Sequence, residues 1–184
     1  MPSRLTTSIA LFRGINVGGS NLISMKELKE VLETNGCVDV RTYVQSGNVI
    51  FRSGVSDAAR LAKQLAAAVS KSRGFEPRVL VLTRDELERA AAGNPFQEAD
   101  QNPQSVHLFF LAERPKKPDL ESLEALKTHT ERFHLKGSSF YLYTPDGFGR
   151  SKLGQRVERL LGVDATARNW RTVTTLLEMA KASG

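Results

Sequence analysis

The sequence predicts an α+β protein: a duplication of two ferredoxin-like (βαββαβ) halves with an extra C-terminal helix. Three observations carry this. Residues 5–92 and 105–180 each read as strand, helix, strand, tight hairpin, strand, helix and a further extended segment, the split βαβ order. The first strands, first helices, hairpin glycines and second helices pair in order at offsets of roughly 90–97 residues. The stretch from Asn94 to Pro103, rich in Pro, Asn and Gln, suits a connection between the halves. The predicted division is 1–93 for the first half, 94–104 for the connecting loop and 105–184 for the second half with its C-terminal helix. A single irregular α+β sheet is the competing architecture.

Each element has a local reason. Ser8 to Phe12 is an apolar run that reads as a buried strand, followed by a loop from Arg13 to Asn21. Ser24 and Glu27 form a capping box ahead of the stripe Met25, Leu28, Val31 and Leu32, and Gly36 suits the residue after the helix. Val38, Val40, Thr42 and Val44 alternate with polar residues, which predicts a strand with one buried face. Ser46-Gly47 fits a two-residue hairpin turn leading into Asn48–Phe51. Asp57 to Arg73 reads as a helix on Leu61, Leu65 and Val69, and Pro77 to Leu82 as a strand. Thr83 and Glu86 form a second capping box for a short helix ending at Gly93.

In the second half, Val106 to Leu111 is a strand. Pro115 to Pro118 turns into a helix through Leu120, Leu123 and Leu126. Phe133 and Leu135 alternate with Arg132, His134 and Lys136, Gly137-Ser138 makes a second two-residue turn, and Phe140 to Tyr143 returns. Leu153, Val157, Leu160 and Leu161 predict a helix ending at Gly162. Ala165 to Arg168 reads as a short last strand, and Asn169 caps a helix carrying Val173, Leu176, Leu177 and Ala180.

Composition excludes several classes. A chain of 184 residues, 40% hydrophobic and 25% charged, is an ordinary globular protein. The apolar runs fall short of a membrane span, and Met1 to Leu5 lacks the apolar core of a signal peptide, so a cytoplasmic location is expected. The single cysteine, Cys37, excludes an internal disulfide. His107, His129 and His134 show no metal-ligand spacing, and no cofactor motif is present, so neither metal nor cofactor is expected. His107 lies in an apolar strand and reads as a core or sheet-face residue. A net charge of +6 favours anionic partners.

Four segments stand out: Ala10–Gly19 (ALFRGINVGG), Arg41–Val49 (RTYVQSGNV), Gly149–Leu153 (GRSKL) and Thr166–Trp170 (TARNW). Together they resemble, in order and over almost the full chain, the signature segments of the bacterial domain-of-unknown-function family 1697 (DUF1697). The resemblance implies a duplicated ferredoxin-like α+β fold and no established activity, substrate or cofactor.

The residues offer four candidate sites, each with a structural alternative. In the loop after the first strand, Arg13, Gly14, Asn16, Gly18 and Gly19 could present backbone N–H groups and a cation to an anion, although the loop is neither a Walker A nor a GxGxxG motif. The alternative is a sharp turn. Gln45, Ser46 and Asn48 flank the first hairpin and could read a polar ligand or close the hairpin themselves. Arg150, Ser151 and Lys152 are expected in the first turn of a helix, where cations are unfavourable unless an anion is bound; the alternative is a solvated helix start capped by Ser151. Arg168 and Asn169 precede Trp170, which could stack on a ring but more simply anchors the last helix. Residues 150–171 hold six basic against two acidic residues, a local +4 of the total +6.

No nucleophile, base and orienter can be chosen. The leading expectation is a binding module for a phosphate-bearing small molecule or single-stranded nucleic acid. Pseudo-twofold symmetry would turn the Arg13 and Arg150 loops toward a shared cleft. An enzyme acting on a small anionic metabolite, with Arg13, Arg150 or Lys152 stabilising charge, and an interaction protein using an exposed sheet face are the alternatives. Their motifs hold more polar specificity than turn-making requires, so Arg13, Asn16, Gln45, Asn48, Arg150 and Lys152 are expected to be more exposed than the apolar residues beside them.

Overall fold

Four consecutive apolar residues, Ile9 to Phe12, are buried in strand β1 (Thr6–Arg13). A strand alternates its side chains between two faces, so neither face of β1 is open to water. The computed structural model describes residues 4–183. The chain divides into two compact units, Met1–Glu88 with Leu176–Gly184, and Arg89–Thr175.

The first unit runs β1, α1 (Met25–Thr34), β2 (Val38–Tyr43), β3 (Asn48–Ser53), α2 (Ala58–Arg73), β4 (Arg78–Thr83) and the start of α3 (Arg84–Ala92). Its four strands form an antiparallel sheet in the order β2-β3-β1-β4. Ala10, Phe12, Val49 and Phe51 share one face and form a core with Leu28 and Leu32 of α1 and Leu61, Leu65 and Val69 of α2. Each of these Val, Leu and Phe side chains contributes about 1.5–3 kcal/mol by leaving water. Both predicted capping boxes form. The Glu27 N–H donates to Ser24 Oγ at 3.2 Å, and the Ser24 N–H donates to the Glu27 carboxylate at 2.9 Å. Thr83 and Glu86 do the same at α3, at 3.2 and 2.8 Å.

The second unit takes the rest of α3, then α4 (Glu98–Gln101), β5 (Val106–Leu111), α5 (Leu120–Leu126), β6 (Arg132–Lys136), β7 (Ser139–Tyr143), α6 (Val157–Leu161), β8 (Ala165–Asn169) and the first half of α7 (Trp170–Lys181). Its antiparallel sheet has the order β6-β7-β5-β8. The two sheets therefore repeat one strand order. A bond just past the central strand's pairing repeats too. Phe12 N–H donates to Gly47 O at 2.8 Å in one unit, and Leu111 N–H to Ser138 O at 2.9 Å in the other. Phe109, Leu111, Phe140 and Leu142 form the core with Leu123 of α5 and Val157 and Leu161 of α6. On the other face, the Tyr141 hydroxyl donates to Ala90 O at 2.6 Å, and Arg132 lies 4.7 Å from the Tyr143 ring while ion-pairing with Glu98.

Four expectations fail locally. The first hairpin is not a two-residue turn. Tyr43 pairs with Asn48, leaving a four-residue loop, because the Gly47 carbonyl is taken by Phe12 and the Asn48 side chain by Tyr43 and Ser46. In β2 a register shift between Val38 and Arg41, with Asp39 at φ 55°, breaks the alternation and leaves Val38 exposed, while Val44 falls in the hairpin loop and is exposed there. The connection holds a short helix, α4. Finally, α6 starts only at Val157. Ser151 Oγ accepts the Gly154 N–H at 2.9 Å and Leu153 O accepts the Arg156 N–H at 2.9 Å, so local three-residue closures replace the first helical turn.

Candidate functional site

Two signature loops of the first unit meet. Residues 14–21 fold back on themselves: Ser20 N–H donates to Val17 O at 3.0 Å, Asn16 N–H to Asn21 O at 3.1 Å, and Asn21 Nδ2 to Gly14 O at 2.8 Å. Asn16 then fastens this small hairpin. Its Nδ2 donates to Ile23 O at 2.8 Å and to Gln45 O at 3.0 Å, and its Oδ1 accepts the Ile23 N–H at 2.9 Å. Arg73 of α2 adds a clasp, donating to Leu22 O at 3.1 Å and to Glu27 at 2.7 Å. Serine 24's hydrogen bonds and this arginine hold the Glu27 carboxyl below its usual pKa.

This geometry sorts the predicted residues. Asn16 is half-buried and committed to backbone groups. Asn48 is fully buried, with Nδ2 on Tyr43 O at 3.1 Å and Ser46 Oγ at 2.9 Å. The expectation that both are more exposed than their apolar neighbours is therefore corrected for Asn48, which is as buried as Val49, and holds for Asn16 against Ile15 but not against Val17: amides able to read a ligand are used to close loops. Gly47 is buried, and a Cβ there would lie 2.6 Å from Ile15 Cδ1 and 2.7 Å from Phe12 Cβ. Gly14, Gly18 and Gly19 are exposed with positive φ, and a Cβ on any of them would meet nothing within 4 Å. Arg13 is half-exposed at the end of β1, directly across from Arg78. Gln45 and Ser46 are exposed. So is Val44, at φ 52°, a left-handed conformation that is strained for a β-branched residue.

In the second unit, Phe148–Arg150 forms a single 3-10 turn, and Arg150 and Lys152 lie ahead of α6, outside its first turn. The expected unfavourable helix-dipole contact is absent for that reason. Both side chains are exposed, whereas Ser151 is buried as an acceptor for Gly154. Arg168 is half-buried and donates to Ala167 O at 2.9 Å. Asn169 accepts the Thr172 N–H at 2.9 Å as a cap of α7, and Trp170 is buried. The ring of His107 stacks on Phe148 at 3.8 Å, and its buried Nδ1 has no hydrogen-bond partner among the described residues. Burial pushes its pKa down to about 4 and that of Cys37 up to about 11. No group of three or more His, Cys, Asp or Glu among the described residues is arranged to hold a metal. No described helix is long and apolar enough to cross a membrane.

A profile described as "Protein of unknown function (DUF1697)" matches residues 5–141. The chain belongs to the DUF1697 family. Its fold is similar to that of a conserved bacterial protein from Streptococcus pneumoniae, with TM-score 0.67 and 22% identity over 96% of this chain and 99% of that one. No curated protein matches the chain. Within this DUF1697 member, the matched region includes the two joined loops and stops before Gly149–Leu153 and Thr166–Trp170.

Sequence reasoning missed one concavity. A groove of about 830 Å³ in the first unit is lined by Arg4, Leu5, Thr6, Thr7, Arg52, Ser56, Thr83, Arg84, Asp85 and Ser183. Its arginines come from three places in the chain and form no contiguous motif, so no spacing rule could have grouped them.

Proposed function

We propose that this DUF1697 protein is a binding module for a phosphate-bearing ligand, built from two ferredoxin-like units. The repeated strand orders β2-β3-β1-β4 and β6-β7-β5-β8, each with two helices between the strands, support the ferredoxin-like reading. One observation carries the binding reading. Arg150, Lys152, Arg156 and Arg159 are all exposed within ten residues and form no ion pair among the described residues. Elsewhere Arg52, Arg73, Arg84 and Arg132 each face a carboxylate. Cations left without internal partners are available to phosphate oxygens. The segment 150–159, rather than an open sheet, is the favoured surface, because Ile9, Leu11, Leu108 and Phe110 are buried.

A thermal-shift screen against nucleotides, inorganic phosphates and short oligonucleotides tests this reading. Stabilisation that is lost in the Arg150→Gln/Lys152→Gln variant supports it. A steep fall of oligonucleotide affinity with salt would select nucleic acid over a small molecule. No shift with any of the three ligand classes would reject it.

A second reading is favoured by a different observation. Val17, Leu22 and Val44 are 66%, 58% and 50% exposed, and all three lie on the two joined loops of the first unit. Exposed apolar residues held on rigid loops suit a protein-interaction surface.

A further inference from the structure

We infer that the groove of the first unit is a second, separate site, one that takes a small phosphate-bearing organic molecule. This goes beyond the binding reading above, which concerns residues 150–159 of the other unit.

The charge arrangement is the first argument. Arg4 precedes β1, Arg52 is on β3 and Arg84 opens α3, and all three line one concavity in which Asp85 is the single carboxylate-bearing residue among the described residues. Three arginines gathered around one hollow repel one another, against which only exposed pairs with Asp39 and Glu88 stand. An anion in the groove removes the repulsion. The competing internal partners are weak. Arg52 meets Asp39 at 3.3 Å and Arg84 meets Glu88 at 3.6 Å, and the side chains of both pairs are 38–63% and 42–39% exposed. Water-exposed pairs of this kind hold their charges loosely and exchange readily for a better anion. Arg4 faces no carboxylate among the described residues.

The lining also says what the anion is attached to. Thr6, Thr7 and Thr83 already spend their hydroxyl protons on Ser53 O, Ser183 O and Glu86. Ser56 makes no such bond among the described residues and is left as a neutral donor. Leu5, 39% exposed, gives an apolar wall. The volume of about 830 Å³ falls in the range of small-molecule sites and exceeds what an inorganic anion fills. A lining that combines three arginines with an apolar residue fits a molecule with a phosphate group and an organic body.

Backbone amide NMR of the full chain, titrated with inorganic pyrophosphate, AMP and adenosine, tests the assignment. The expected result is saturable shifts of the Leu5, Thr6, Thr7, Ser56 and Arg84 amides with AMP and pyrophosphate, and none with adenosine. Arg4→Gln and Arg84→Gln, made separately, should each weaken that binding by about tenfold or more, the worth of one charge-assisted contact. The remaining amide spectrum reports whether each variant is folded, and the wild-type shift map stands if one is not. Absence of saturable groove shifts overturns the proposal, as do shifts insensitive to both substitutions. Shifts confined to the Gly149–Lys152 amides also overturn it, while supporting the site in the other unit. Groove shifts without any at 149–152 have the opposite consequence.

Discussion

Asn16 donates its side-chain amide to the carbonyl of Gln45 at 3.0 Å, across 29 positions of sequence. The same amide group exchanges two bonds with Ile23. One side chain thus sets the distance between the glycine-containing loop and the first hairpin. The Asn16→Gly variant keeps the left-handed backbone open to this position and removes all three bonds. It should lose about 1–3 kcal/mol in urea denaturation. Asn16→Ala should lose more, since its φ of 52° then falls on a residue with a Cβ and no amide. Losses below about 0.5 kcal/mol in both would mean that the loops are not held this way.

Gly47 and Gly18 separate crowding from backbone strain. Both have positive φ, 75° and 58°. Gly47→Ala must also push into Ile15 and Phe12, whereas Gly18→Ala meets open space. The expected cost is about 1 kcal/mol at Gly18 and about 2–4 kcal/mol at Gly47. Equal midpoints in chemical denaturation would show that the Ile15 contact yields without cost.

His107 should make stability depend on pH. Its pKa falls from 6.5 in the unfolded chain to about 4 when folded. Between those values the unfolded state binds the extra proton, so stability rises with pH there. The full stability is present above pH 6.5 and declines as pH falls toward 4, by up to about 3 kcal/mol. Below the ordinary carboxylate range Glu27, Glu98 and Asp119, all with lowered pKa, add losses of their own. His107→Phe should flatten the profile between pH 6.5 and 4.5. Thermal melts across that window decide it, and an unchanged slope would assign the effect elsewhere.

The Arg150→Gln/Lys152→Gln variant should keep its stability within about 0.5 kcal/mol of the parent. Both side chains are exposed, neither forms an ion pair among the described residues, and neither stands in a helical first turn. A loss well above that, measured by denaturant titration, would give these residues a structural role.

The fold was legible where a side chain closes a bond with its own neighbourhood. Ser24 with Glu27, Thr83 with Glu86 and Asn169 ahead of α7 can be read from spacing alone. The alternation of Phe133 and Leu135 and the Gly137-Ser138 turn were legible for the same reason. The misreadings share a different cause. The first hairpin lengthens because Gly47 bonds to Phe12, which is distant in sequence. The Asn48 amide was legible as polar but not as buried, because its burial depends on strands on both sides. The late start of α6 reflects a choice by Ser151 between solvent and Gly154 that composition does not fix. As for the candidate site, the exposed cations at 150 and 152 could be read from sequence, while the convergence of Arg4, Arg52 and Arg84 could not.

The outer strands bear on how the molecule behaves in crowded solution. β2 and β6 each lie at one end of their sheet, where unpaired backbone groups invite a second copy to add a strand. In β2 the displaced register at Asp39 spoils the straight ladder such a copy would need. In β6 the obstacle is electrical. Arg132 and Lys136 stand exposed on one face of the strand, so an identical strand laid alongside brings cation toward cation. Chain-to-chain polymerisation is thus discouraged at one border by shape and at the other by repulsion, the second being a guard that high salt relaxes.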